Sequence, residues 1–109
     1  MSAYVIFNYT ILDRSKIDEL TEQSKPIDEK YGAKVIVGSP IKAVEGSTLP
    51  NMVIYKFASF DAAKNWYYSE ENQELSVFRN GITEGWAAIV PDVSETDALI
   101  ESGYFECRS

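Results

Sequence analysis

At 109 residues, with 45% hydrophobic and 25% charged side chains, the chain has the length and composition of one globular domain that buries its own core. Seventeen acidic against ten basic residues give a net charge of −7, which disfavours nucleic acid and anionic membrane surfaces as partners. Histidine is absent, which excludes Ser-His-Asp and Cys-His nucleophile pairs, His-ligated haem and the usual His-containing zinc sites.

Cys107 is the single cysteine, so no internal disulfide forms and a reducing compartment is expected. No apolar run approaches the ~20 residues that span a bilayer, and the opening Met1-Ser2-Ala3-Tyr4 lacks the basic-then-apolar order of a signal peptide. A soluble cytoplasmic protein is the expectation. No motif for a metal or cofactor is present, and none is expected.

Residues 3–10 are β-branched and aromatic and apolar on both alternating faces, so this strand needs cover on both sides. Asp13 or Ser15 then caps a helix whose inward stripe is Ile17, Leu20, Ser24, Ile27 and Tyr31, closed by Gly32 in the left-handed position after it. Pro26 falls inside this helix, predicting a kink about one turn upstream, by which the helix either bends around a curved sheet or lets the freed Glu22 carbonyl and Ser24 line a cavity.

A second strand is read at residues 33–38, with a continuation to Glu45, and the turn-rich 46–51 leads into a third at 52–58. Asp61 or Ser59 starts a second helix to about Ser69, and further helical turns run to Asn80. Gly81 ends them, and a fourth strand occupies 85–90 before Pro91. The order βαββαβ in a short chain predicts an α+β, ferredoxin-like sandwich, with four antiparallel strands and the helices on one face. The other face carries large apolar side chains, and a second copy packed sheet to sheet would cover it, giving a homodimer. Residues 1–91 form this domain. Residues 92–109 form an extension, where Ser94 to Asp97 offers a capping box for a short helix against a partner subunit.

The most distinctive stretch is Phe57 to Arg79, a strand end followed by a helix with adjacent aromatics and an arginine. It resembles the small bacterial proteins catalogued as domain of unknown function thirteen-thirty, members of the dimeric α/β-barrel superfamily. Phe57, Ser59, Ala62, Ala63, Trp66, Tyr67, Ser69, Glu71, Gln73 and Arg79 fall in that family's register, as do Ala3-Tyr4-Val5, Gly32 and Glu45-Gly46. Ala58 and Glu70 depart from it where the family has prolines, Asn72 where it usually has tyrosine, and Ser47-Thr48 where Asp-Trp often follows. The resemblance covers roughly residues 3–90 and implies a ferredoxin-like subunit with a barrel formed by two sheets. It names no reaction.

Five residues are candidates for ligand binding. Trp66 and Tyr67 are adjacent on a helix, about 100° apart, and either packs or borders a pocket. Arg79 either clamps a carboxylate or enolate bidentately or pairs with Glu71. Asn8, the polar member of an apolar strand face, either orients a ligand carbonyl or stays solvated. Lys56 either lies buried with a lowered pKa or guards a sheet edge. Two functions follow: a small-molecule-binding protein, its ligand a carbonyl or carboxylate compound, or a cofactor-independent oxygenase, isomerase or cyclase with a small aromatic or polyketide-like substrate.

Overall fold

The computed structural model describes residues 2–101. Strand β1 (Ala3–Ile11) leads through a short 3-10 turn at Arg14–Lys16 into helix α1 (Ile17–Tyr31), and β2 (Lys34–Pro40) and β3 (Asn51–Phe57) follow. Helices α2 (Phe60–Tyr67) and α3 (Glu70–Ile82) precede β4 (Thr83–Pro91), and α4 (Val93–Glu101) closes the described chain. All strand pairs are antiparallel in the order β2-β3-β1-β4. This is the α+β ferredoxin-like sandwich expected from the element order.

Local chemistry sets the boundaries. Asp13 accepts the Ser15 amide at 3.1 Å and starts the 3-10 turn. Gly32, at φ 71°, ends α1 in the left-handed conformation while its N–H meets the Asp28 and Glu29 carbonyls. Two serines divide the second crossover: Ser59 Oγ accepts Ala62 N–H at 3.0 Å to cap α2, and Ser69 Oγ accepts Asn72 N–H at 3.2 Å to cap α3.

Three of these boundaries differ from the reading above. β2 stops at Pro40 and does not continue to Glu45; Ile41 N–H instead reaches the Pro50 carbonyl at 3.0 Å and holds the connection as a loop. Gly81 lies inside α3, because the helix's packed face runs on to the buried Ile82. Asp92, not Ser94, caps α4, its carboxylate accepting the Ser94 amide at 3.0 Å. α4 also turns Leu99 onto this subunit's own core. Gly103 to Phe105 and Cys107 lie outside the described residues.

Register divides the sheet into two faces. Ala3, Val5 and Phe7 of β1 share parity with Phe57, Tyr55 and Val53 of β3 and with Ile89 and Ala87 of β4, and this face lies under the helices. Tyr4, Ile6 and Asn8 share the opposite parity with Lys56, Ile54 and Met52 and with Val90, Ala88 and Trp86. No helix among the described residues covers that second face, and Trp86, which has its parity, is 52% exposed. Under the helices, Ala3, Val5, Phe57, Phe60, Ala63 and Trp66 form the dry core, gathered toward the start of β1.

Candidate functional site

Because the core fills one end of the sandwich, the other end stays open. There the helices and sheet enclose a cavity of about 290 Å³. Its floor is Phe7, Tyr9, Val53, Tyr55 and Ala87 of the sheet, one wall is Ile17, Leu20 and Ser24 of α1, and the opposite wall is Asn72, Leu75, Ser76 and Arg79 of α3. Trp66 and Tyr67, at the end of α2, close the deep side.

The lining is strongly aromatic. Trp66 is 1% exposed and lies 4.8 Å from the Tyr55 ring, 6.2 Å from Phe7 and 6.4 Å from Tyr67, between centroids. Its indole N–H donates to Asp28 Oδ1 at 3.0 Å, which fixes the ring against α1. A buried indole needs such a partner, and the carboxylate supplies it.

Arg79 is the one charged side chain among the described residues that line the cavity. Its guanidinium lies 4.6 Å from the centre of the Phe7 ring and donates to Ser76 Oγ. Among the described residues it forms no salt bridge. The expected partner, Glu71, is engaged elsewhere: Lys30 Nζ and the Tyr31 hydroxyl both donate to it, at 2.5 and 3.1 Å. Burial pulls the Arg79 pKa down, opposed by the neighbouring Tyr67 and Tyr55 phenols and Asp28. The remaining guanidinium N–H groups are donors held in a largely apolar space.

Burial also shifts the acids around it. The Asp28 carboxyl is pushed up to about 6 by burial, against the pull of the Trp66 N–H, Ser24 and Arg79. Tyr55 is pushed up to about 12, chiefly by burial and then by the Asp28 charge. Ser24 is beside both groups, and its hydroxyl donates to the Thr21 carbonyl at 2.9 Å. Ser24 lines the cavity as expected, whereas Glu22 is exposed and takes no part in the lining.

Of the five candidates, the fold brings Trp66, Tyr67 and Arg79 together. Asn8 and Lys56 have the other parity and face away. Asn8 is 1% exposed and acts as a clamp: its Nδ2 donates to the Leu49 and Asn51 carbonyls at 3.0 and 2.9 Å, and its Oδ1 accepts Leu49 N–H at 3.1 Å. It is not solvated, and it is not among the residues that line the cavity. Lys56 is exposed, opposite Lys34.

Three neighbours of the site were not singled out from the sequence. Asp28 follows Ser24 by one helical turn at the margin of the inward stripe, a spacing that was open to reading. Tyr55 sits between Val53 and Phe57 with inward parity, concealed in a strand apolar on both faces. Asn72 is fully buried one turn before Leu75 and Ser76; its Nδ2 donates to the Tyr67 carbonyl at 3.0 Å, and its Oδ1 has no partner among the described residues. No group of three or more His, Cys, Asp or Glu among the described residues could hold a metal, and no helix among them is long and apolar enough to cross a membrane.

The sequence profile of a family described as Domain of unknown function (DUF1330) matches residues 2–93. The chain belongs to the DUF1330 family. No match was found among curated proteins. Solved structures resemble this DUF1330 protein in fold. A Rhodopseudomonas palustris protein of unknown function superposes with a TM-score of 0.66 at 12% identity, covering 84% of this chain and 82% of its own. SnoaB of Streptomyces nogalater, a cofactor-independent oxygenase, gives 0.61 at 4% identity, covering 84% and 92%. An Arabidopsis thaliana protein gives 0.61 at 12%, covering 84% and 93%. At these identities the likeness is one of fold.

Proposed function

We propose that this DUF1330 protein binds a small organic ligand bearing a carbonyl or carboxylate in the cavity between helices and sheet. One observation carries the reading: a half-buried Arg79, without a salt bridge among the described residues, is the single formally charged side chain in a cavity lined by aromatic and aliphatic groups together with the neutral polar Ser24, Asn72 and Ser76. A guanidinium kept from water retains donors that a ligand oxygen satisfies, and such donors in an apolar pocket mark binding sites. Trp66 and Tyr67 pack against the ligand. A thermal-shift screen of small carboxylates and carbonyl compounds should raise the melting temperature, and Arg79→Gln should abolish the rise; hits that survive this substitution would refute the role given to Arg79.

Asp28 favours a second reading, a cofactor-independent reaction on the same ligand. Burial pushes its carboxyl up to about 6, and Ser24 and Tyr55, both in the cavity lining, are beside it, so a proton can pass between cavity and carboxyl. SnoaB, with the same fold, works without a cofactor. On this reading Asp28→Asn retains ligand binding and loses turnover. Turnover that survived in the variant would leave Asp28 a structural role only.

The protein acts as a homodimer, the helix-free sheet face meeting its counterpart in a second copy. Trp86, Val90 and the apolar side chains of the same parity support this. A cytoplasmic location accompanies the single cysteine, and cell fractionation checks it.

A further inference from the structure

We infer that the occupant of the cavity is a single-ring aromatic monocarboxylate, an inference that rests on the ligand-binding reading above.

Size is the first constraint. A cavity of about 290 Å³ lies at the small end of small-molecule pockets, roughly 300–1,000 Å³, and suits a single ring better than a fused polycycle. Trp66 shuts its deep side, packed against Phe57 at 5.3 Å and bonded to Asp28, so a long acyl chain has no channel to extend into.

Charge is the second. Arg79 alone supplies a formal charge to the lining, matching one negative head. A phosphate dianion would bring a second charge with no second cation among the described lining residues to meet it, and desolvating an unmatched charge is costly. The helix starts at the cavity, that of α1 at Ile17 and that of α3 at Glu70, carry Asp18 and Glu19 and Glu70 and Glu71 in their first turns, so neither offers a dianion a free helix end. The exposed residues of the lining, Thr21, Asn80, Gly85, Trp86 and Ala87, are uncharged although the whole chain is at −7.

The third constraint is the walls. Phe7, Tyr55, Trp66 and Tyr67 present rings to one space, and their mutual contacts range from edge-on at 81° to tilted at 41°. A further ring continues that network through edge-to-face and offset contacts, an attraction that a saturated ring of equal size lacks. The guanidinium turns one face to Phe7 and one N–H to Ser76, leaving its other N–H groups for a carboxylate.

The test is calorimetric titration of the unaltered protein with three ligands of one size: phenylacetate, cyclohexylacetate and phenylacetamide. Phenylacetate should bind about tenfold more tightly than either of the others, one from lost ring contacts and one from lost charge. Arg79→Gln should bring phenylacetate down to the level of phenylacetamide. If cyclohexylacetate binds as tightly as phenylacetate, the aromatic assignment is overturned while ligand binding stands; if phenylacetamide does, the anionic assignment falls. Absence of binding by all three at millimolar concentration, with no other carboxylate or carbonyl compound found by thermal shift, removes the ligand-binding reading itself.

Discussion

The Trp66 indole N–H donates to Asp28 Oδ1 at 3.0 Å, and this bond joins the end of α2 to the last turns of α1 behind the cavity. It also places a carboxyl in a partly desolvated position. The folded-state pKa of Asp28, about 6, lies above the ordinary 3.8. Below 3.8 both folded and unfolded chains hold the proton; between the two values only the folded chain does, so its contribution to stability falls as pH rises. Above about 6 both are ionised and the penalty is constant. Asp28→Asn keeps an acceptor for the indole and removes the titration. Urea unfolding at pH 4 and pH 7 should therefore show the variant gaining on the parent as pH rises. The difference between the two proteins is the quantity to follow, since Glu71 has a lowered pKa, loses its contribution as pH falls, and is common to both. Parallel pH profiles would show that Asp28 is not desolvated.

Two buried asparagines should respond in opposite ways. Asn8 has three hydrogen bonds to the 49–51 backbone, and Asn8→Ala would strand two carbonyls and an amide that now meet it, a cost of ~2–4 kcal/mol. Asn72 has an unpartnered Oδ1, and the Tyr67 carbonyl that it serves also accepts from Gln73 Nε2 at 2.6 Å. Asn72→Leu deletes a buried unsatisfied acceptor without orphaning its partner. Chemical denaturation should place it within about 1 kcal/mol of the parent, or above it. A loss as large as that of Asn8→Ala would mean that Oδ1 is satisfied in solution.

How much of this was legible in the chain depends on parity and on sequence distance. The hydrophobic periods and the punctuation at Ser59, Gly32 and Pro91 specify the sandwich, since each is a local signal. Trp66, Tyr67 and Arg79 were readable as a site because they lie within fourteen residues on one crossover. Asn8 misled because a polar residue in an apolar strand looks the same whether it meets a ligand or a loop forty residues on. Asp28 meets Trp66 across thirty-eight positions, and no local pattern announces that contact. Glu71 likewise pairs with Lys30 rather than Arg79, because α3 presents it to the end of α1.

Gly85 marks the closest approach of β4 to β1. A Cβ there would collide with the Asn8 carbonyl oxygen and come within 2.7 Å of Tyr9 Cα, both backbone atoms that a rotamer change cannot move. Gly85→Ala should therefore force the strands apart beside the cavity rim, costing ~1–3 kcal/mol. It should also speed amide exchange at Asn8 and Thr10, whose N–H groups face β4, ahead of the distal Tyr4. Uniform or unchanged exchange would show that the sheet absorbs the methyl group elsewhere.

The helix-free sheet face can be separated from ordinary surface by matched substitutions. Trp86 is 52% exposed on that face, and Val77 is 77% exposed on the outer side of α3. Replacing either with Glu adds one negative charge and removes one exposed apolar side chain, so general effects on solubility and net charge are shared. Only Trp86→Glu places that charge among the apolar side chains that a second sheet would cover, where it would lose water without gaining a partner. Sedimentation velocity at micromolar concentration should show the parent and Val77→Glu as dimers and Trp86→Glu shifted toward monomer. A parent that sediments as a monomer would remove the dimer proposal. Equal behaviour of the two variants as dimers would locate the interface elsewhere.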